Sequence, residues 1–438
     1  MSYVTRSAPL YRQPASKKLP THPEAEKGHG IIGIGGYLSG IIAGSYRTRD
    51  RRQVLVPDRS YLAIDDAGSC HRSPFTDAAH GLVLRQRAAA VTDANVPDLS
   101  LLIQATRKIS DHMKTGTTVV YESTVYPGVT EQLCVPILSQ CHAVPGRTTR
   151  EHRREFWVAY SPERINPGDG THTITNTTKV VAGDTPETLD LVERIYSCIT
   201  HTYRAPSIKV AEAAKVIENT QRDVNIALVN EFSHICARLD IDTHDVIEAA
   251  GSKWNFHKYV PGFVGGHCIA VDPYYLTYRS TQLGYIPSLI LTARDINDEM
   301  PVLTAQKTVK AMHRCGLSAD ARVTVLGITF KENVRDIRNS RTVELIREFK
   351  SWGLAVQVVD PLADPDAVRR EHGIELTPHD AYEKANVLVL AVPHAAFMRG
   401  GWSGILAHAQ RDSIVVVTDI KGVLSRADIP HDVRLIRP

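Results

Sequence analysis

The segment Ile208–Leu239 constrains this chain most. It runs 32 residues without a proline or a glycine, and its apolar positions include Ile217, Leu228, Phe232 and Ile235. A helix of that length extends about 48 Å, more than a small domain spans, so it suits a connector between domains. The 438 residues are also too many for a single hydrophobic core. Helical spacing continues at Thr243–Ala250 and Ile286–Glu299.

On either side of this block, short apolar runs alternate with helical segments. Upstream lie a helix over Leu99–Met113 and strands at Thr117–Tyr121, Trp157–Tyr160 and Lys179–Ala182, with Pro127–Gly128 ending a turn. Downstream lie strands at Arg322–Phe330, Ala355–Val359, Val387–Val392 and Ile414–Thr418. The order Val323–Gly327, helix, Val358–Asp360 has the form of a nucleotide-binding half. The expected fold is therefore α/β: two Rossmann-like parallel-sheet domains joined by a central long-helix domain. The expected boundaries are a loose Pro-rich arm over 1–30, a first Rossmann-like domain over 31–205, a helical domain over 206–305 and a last domain over 306–438. The first Rossmann domain is degenerate in pattern as far as about residue 95, where a short strand at Gln53–Val56 is the main signal.

Composition excludes several classes. With 51 basic and 48 acidic residues the net charge is +3, so no global field points to nucleic acid or an anionic membrane. Seven cysteines are scattered, with no CxxC pair and no zinc spacing, which reads as a reducing compartment. Ile31–Gly44 is glycine-rich and short of the roughly 20 apolar residues of a spanning helix. The first residues lack the order of a secretory signal, so the cytoplasm is expected. No HExxH, GxxxxGK[ST] or GxSxG occurs, and no metal is expected.

The richest string is Gly265-Gly266-His267-Cys268-Ile269-Ala270-Val271-Asp272. Its glycines leave a ligand room to approach the backbone, and a thiol and a carboxylate follow. The competing reading of Cys268 is a small buried hydrophobe. Lys215 and Asn219 are four apart and share a helix face, which is more often a solvated face than a site. Ser161–Gly168 is a polar, Pro/Gly-punctuated loop carrying Glu163 and Arg164, and its plainer reading is an ordinary turn. Lys331 follows a strand and Arg338 comes seven residues later, both placed to meet a phosphate or carboxylate.

Taken together, the strings YESTVYPG (Tyr121–Gly128), YSPERINPGD (Tyr160–Asp169), AEAAKVIENTQRDVNIALVNE (Ala211–Glu231), GSKWNF (Gly251–Phe256), VGGHCIAVDPYYL (Val264–Leu276) and GITFKENVRDIRNSR (Gly327–Arg341) resemble the UDP-glucose/GDP-mannose dehydrogenase family. Their wording is most similar to the UDP-N-acetylhexosamine 6-dehydrogenase branch, Vi-antigen-type enzymes among them, whose members serve bacterial capsule and O-antigen polysaccharides. The resemblance implies NAD as cofactor, a UDP-N-acetylhexosamine as substrate and a homodimer. It implies Cys268 as nucleophile, with Lys215, Asn219 and Asp272 around the reacting carbon and Glu163 as base or water-orienting group. Thr124 would lie near the nicotinamide, Lys331 would hold the sugar nucleotide and Arg338 would contact the cofactor. Arg164 and Gly265 fall in the substrate-facing segments. A thiolate nucleophile would call for a thiol pKa lowered by nearby cations.

The N-terminal part departs from the family pattern. The family opens on a strand and a GxGxxG turn. Here Gly33 and Gly35 stand in Ile32–Gly40, with the third glycine displaced, and no Pro-Thr-Pro turn precedes Pro97. Length is kept while pattern is lost over about residues 10–95. That is what a compensated frameshift in the coding sequence leaves, divergence being the alternative. Three functional readings follow: an active UDP-N-acetylhexosamine dehydrogenase, a UDP-sugar-binding pseudoenzyme with an impaired NAD site, or the sister enzyme for UDP-N-acetylmannosamine or GDP-mannose. Val271 stands where UDP-glucose members carry lysine, which points away from UDP-glucose.

Overall fold

In the computed structural model, residues 31–34, 61–64, 70–72 and 81–84 are described as strand backbone. The chain is then described from residue 90 onward, except 93, 114–116, 141–155, 167–168, 170, 319 and 379–380. The arm over 1–30, Gly35 and Gln53–Val56 lie outside these residues.

The first sheet has eight strands: β1 (Ile31–Ile34), β2 (Tyr61–Ile64), β3 (Cys70–Arg72), β4 (Gly81–Leu84), β7 (Thr117–Tyr121), β8 (Phe156–Tyr160), β9 (Lys179–Gly183) and β10 (Thr202–Arg204). Their order is β10-β9-β8-β7-β1-β4-β2-β3. Pairing is parallel except at β8–β9 and β2–β3. Strand β1 is central, with β7 on one side and β4 on the other, and Gly33 lies within it. A small hairpin of β5 (Ala90–Val91) and β6 (Pro97–Asp98) precedes helix α1 (Ser100–His112). Strand β7 is four β-branched residues followed by Tyr121, buried at every position, as an interior strand of a parallel sheet requires. Beyond its turn, a π-helical stretch (Thr130–Cys134) runs into α2 (Val135–Gln140). Helix α3 (Pro186–Ser197) starts where the Thr185 hydroxyl accepts from the Thr188 N–H and Pro186 sets the first turn.

The central block is α4 (Ile208–Leu239), α5 (Thr243–Ala250), α6 (Asp272–Gln282) and α7 (Ser288–Arg314). Ser207 caps the start of α4, and Asp240, in the left-handed region at φ 56°, ends it. Sequence spacing ends the last helix near Glu299, yet α7 runs on through Pro301. An interior proline costs about 3 kcal/mol. The burial of Met300, Pro301, Thr304 and Ala305 against neighbouring elements offsets that cost.

The last domain holds β11 (Arg322–Leu326), α8 (Thr342–Ser351), β12 (Ala355–Val359), α9 (Pro365–His372), β13 (Val387–Leu390), α10 (Ala395–Met398), α11 (Trp402–Leu406), β14 (Val415–Asp419) and β15 (Val433–Ile436). Its five strands are all parallel, in the order β12-β11-β13-β14-β15. Strand β11 stops earlier than the sequence pattern implies because Gly327 turns the chain at φ 94°. A Cβ there would lie 2.5 Å from the Val392 side chain. The chain moves from β11 to β12 on one side and later to β13 on the other. The crevice outside the carboxyl ends of β11 and β13 is thus the position where sheets of this kind bind ligands.

Candidate active site

Helix α4 turns its polar face inward. Lys215 is 8% exposed, Asn219 6% and Asp223 0%, while Ile217, Leu228 and Ile235 are 49%, 62% and 47% exposed. The solvated-face reading of Lys215 and Asn219 is therefore overturned: both are buried, and they meet the start of α6. Asn219 donates from Nδ2 to Oδ2 of Asp272 at 2.6 Å. Asp272 is 1% exposed, and its Oδ1 is buried without a hydrogen-bond partner. Burial pushes its carboxyl up to about 6, against the pull of Lys215 and Asn219.

Cys268 precedes this helix. Its carbonyl accepts from the N–H groups of Val271 and Asp272, which fixes the thiol in a tight turn one helical turn from the carboxylate. Burial, then Asp272, pushes the thiol up to about 11, while Lys215, Arg338 and Arg222 pull it down. The expectation of a lowered thiol pKa thus fails. The cations are present, but desolvation outweighs them, and the resting group is a protonated thiol.

The two glycines before Cys268 serve a contact within the protein. A Cβ on Gly265 would lie 2.7 Å from the Asn339 carbonyl, and one on Gly266, at φ 81°, would lie 2.8 Å from the Phe330 ring. Gly266 N–H donates to the Asn339 carbonyl at 3.1 Å, and Arg341 Nε donates to the Val264 carbonyl at 3.3 Å. The cysteine loop is thereby bound to the segment following β11. That segment, with Gly265, Lys331, Arg341, Val392 and Lys421, lines a cleft at the β11/β13 crevice. Lys331 Nζ donates to Oδ1 of Asn166 at 3.2 Å, bringing the Ser161–Asn166 stretch of loop to the same cleft. The turn bearing Lys331 is held from behind. His394, 0% exposed, bonds Asp360 at 3.1 Å and accepts the Asn333 N–H on Nδ1.

Glu163 sits in that loop, with Oε1 accepting from the N–H groups of Arg164 and Ile165 at 2.7 Å each. Arg164 pairs with Glu218 of α4 at 2.9 Å. Beneath them is a buried pair that carries no local sequence signal. Lys179 Nζ donates to Glu122 at 3.3 Å and to the Pro162 carbonyl at 3.0 Å, and the Tyr196 hydroxyl donates to Glu122 at 2.6 Å. The Glu163 N–H reaches the Glu122 carbonyl, so the loop of Glu163 and the turn of Thr124 are tied together. Thr124 is half-buried in the turn leaving β7. Arg338 is forked onto Asp336 through Nε and Nη2 and lies close enough to act on Cys268. Two further members of the site, Arg222 and His267, were readable in part. Arg222 lies seven residues from Lys215, on the same face of α4, and His267 is adjacent to the cysteine. Burial pushes His267 below its ordinary range, so it is neutral at pH 7. Among the described residues no group of His, Cys, Asp and Glu could hold a metal ion, and no helix is long and apolar enough to cross a membrane.

A half-buried Cys268 beside the buried Asp272–Asn219–Lys215 cluster, next to the ligand crevice of a parallel sheet, marks an α/β nucleotide-binding enzyme. The relatives narrow this. Models of the UDP-glucose/GDP-mannose dehydrogenase family match as NAD binding domain over residues 90–200, central domain over 209–299 and UDP binding domain over 324–426. The chain belongs to this family and is an NAD-dependent dehydrogenase. It is 46% identical over 342 residues to the UDP-N-acetyl-D-glucosamine 6-dehydrogenase of Salmonella typhi, covering 77% of this chain and 78% of that one. It is 45% identical over 347 residues to Protein CapL of Staphylococcus aureus, covering 78% and 80%. In fold it is similar to the UDP-D-ManNAc dehydrogenase of Pyrococcus horikoshii, at TM-score 0.72 and 24% identity over 93% of this chain and 98% of that one. The family match begins at residue 90.

Proposed function

We propose that this chain is a UDP-N-acetylhexosamine 6-dehydrogenase of bacterial surface-polysaccharide synthesis, oxidising the sugar CH2OH to a carboxylate through Cys268. The observation that carries the reading is the junction of the cysteine turn with the buried Asn219–Asp272 pair, in a loop clamped to the β11/β13 cleft. Identity of 46% to a UDP-N-acetyl-D-glucosamine 6-dehydrogenase supports the substrate class. We place the domain boundaries near residues 205 and 305.

The sugar nucleotide would lie along the cleft, its phosphates toward Lys331, its hexose toward Gly265, Glu163 and Arg164, and its C6 beside Cys268. NAD would bind at the carboxyl end of β1, with Gly33 and Gly35 toward it and Thr124 near the nicotinamide, a reading supported by the NAD binding domain match over residues 90–200. Arg338 would contact it from the other side. NAD, when bound, supplies the hydride acceptor, used twice per sugar. Lys215 and Asn219 stabilise the oxygen as the alcohol becomes an aldehyde. The Cys268 thiol adds to the aldehyde carbon, and its proton ends on the resulting hydroxyl through Asp272, which is ionised above about pH 6. Loss of the second hydride and of that hydroxyl proton leaves a thioester. Water ordered by Glu163 then cleaves it, returning the thiol and releasing the acid.

The test is NADH formation with UDP-N-acetylglucosamine, UDP-N-acetylgalactosamine, UDP-N-acetylmannosamine and GDP-mannose. Two NADH per UDP-N-acetylhexosamine, abolished in Cys268→Ser, is the expected result. Normal two-step oxidation by that variant would refute the nucleophile. The start of the family match at residue 90 favours one second reading. Retained UDP-sugar binding with no NADH would make the chain a pseudoenzyme.

A further inference from the structure

Glu212 lies on α4 one turn before Lys215 and is 0% exposed. Its two carboxylate oxygens reach out of the central block into the first domain. Oε2 accepts the Gly128 N–H at 2.5 Å and Oε1 the Thr130 N–H at 2.9 Å. Gly128 is four residues past Thr124, at φ 102°, a conformation that favours glycine. One buried side chain therefore joins the turn that faces the cofactor to the helix that faces the reacting oxygen. We propose that Glu212 is a positioning residue whose ionised carboxylate locks the Thr124 turn to the Lys215–Asn219 face, and that the lock opens when it takes a proton. This rests on the dehydrogenase reading for its catalytic consequence only.

The charged form is needed because two N–H groups each require an acceptor, and a carboxyl carrying a proton offers one of them a donor instead. Burial pushes this carboxyl up to about 7, with Glu131 adding to the push and the Gly128 and Thr130 N–H groups and the Thr130 hydroxyl opposing it. The other titratable groups facing it are Tyr126 and Cys134 from the turn and its helix and Tyr160 from β8, all neutral at pH 7. The sign is informative. A carboxyl raised above its ordinary range contributes stability at low pH that is lost as pH rises through about 7. The ionised clamp is therefore held at some cost to stability.

The test compares wild-type full-length chain with Glu212→Gln. Amide hydrogen exchange of the peptide containing Gly128 and Thr130, expressed as protection, is measured at pH 6 and pH 8.5. Wild type is expected to gain at least tenfold protection at pH 8.5, and Glu212→Gln to match low-pH wild type at both values with its melting temperature kept or raised. Equal protection in both proteins, or a lowered melting temperature in the variant, overturns the proposal. With substrates, kcat is expected to fall at least tenfold, with the acid limb near pH 7 abolished and both KM values little changed. An unchanged kcat also overturns it. Exchange needs neither NAD nor sugar nucleotide, so a chain without turnover sinks the dehydrogenase reading and leaves the clamp to the exchange result. If Glu212→Gln does not fold, the pH dependence of protection in wild type decides alone.

Discussion

The chemistry of Cys268 can be tested before any substrate is found. Its thiol is pushed from 9.0 up to about 11. At pH 8 the thiolate fraction is then roughly one in a thousand, against about one in ten for an unshifted thiol. The rarer thiolate is more nucleophilic. With a Brønsted slope of about 0.45, two pKa units return roughly tenfold of that hundredfold deficit. Alkylation of Cys268 by iodoacetamide at pH 8 should thus run about tenfold slower than for an unshifted thiol of the same access. Its rate should keep rising about tenfold per pH unit to beyond pH 10. Peptide mass spectrometry reads the site separately from Cys198, an exposed thiol after α3 that reports on the reagent. The causes of the shift fix two opposite signs. Asp272→Asn removes a carboxylate that pushes the thiol up and should speed alkylation several-fold. Lys215→Met removes a cation that pulls it down and should slow it. A half-titration at or below pH 8, or both variants moving the same way, would refute the balance of desolvation over charge.

Asp272→Asn should also stabilise the chain. A carboxyl raised from 3.8 to about 6 favours the folded state in its protonated form, an advantage lost as pH rises through 6, which amounts to ~3 kcal/mol at pH 8. Melting temperatures should separate at pH 8 and converge near pH 4, and no difference at pH 8 would contradict this. Arg294, 1% exposed, pairs with Asp223 at 2.5 Å. Arg294→Met should cost about 3–5 kcal/mol in urea unfolding, and Arg294→Met/Asp223→Leu should recover most of it. A loss under about 1 kcal/mol for the single variant would dismiss the pair as structural. The homodimer is proposed to form on the apolar stripe of α4 and the nearby Tyr285 and Leu289, which are 70% and 72% exposed. Leu228→Glu should give a monomer by sedimentation, and a dimer that persists would place the interface elsewhere. Translating the DNA of residues 10–95 in its other frames should reveal a strand and a GxGxxG turn, and their absence in every frame would leave divergence.

Much of the architecture was readable because each element carries its own period. Thr117–Tyr121, Ile208–Leu239, Thr243–Ala250 and Ala355–Val359 occur with the limits the pattern implies. Misjudged limits have local causes. Gly327 ends β11 because Val392 packs where its side chain would stand, and Pro301 fails to end α7 because that helix is already held by tertiary contacts. Long-range pairs were invisible for a different reason. Lys179 with Glu122 and Glu212 with Gly128 join residues 57 and 84 apart, and no local spacing reports on such a pair.

Helix α4 shows where periodicity misleads and why. Reading an amphipathic helix means assigning its apolar stripe to the core and its polar stripe to water. Here Lys215, Asn219, Asp223 and Asn230 are buried, each at least nine-tenths, and Leu228 and Leu239 are exposed at 62% each. The inversion is intelligible if each face has its own partner, the polar face within the chain and the apolar face outside it. Buried polar groups cost stability unless they are paired, and this face is paired along its length: Asn219 with Asp272, Asp223 with Arg294, and Asn230 with Gly262 and Asn297. Apolar residues left in water gain nothing for a monomer, but a second copy meeting them through the same stripe would bury them symmetrically. One helix can thus build a reaction site with one face and an assembly surface with the other. A sequence pattern that records only which face is apolar cannot say which of the two is turned inward.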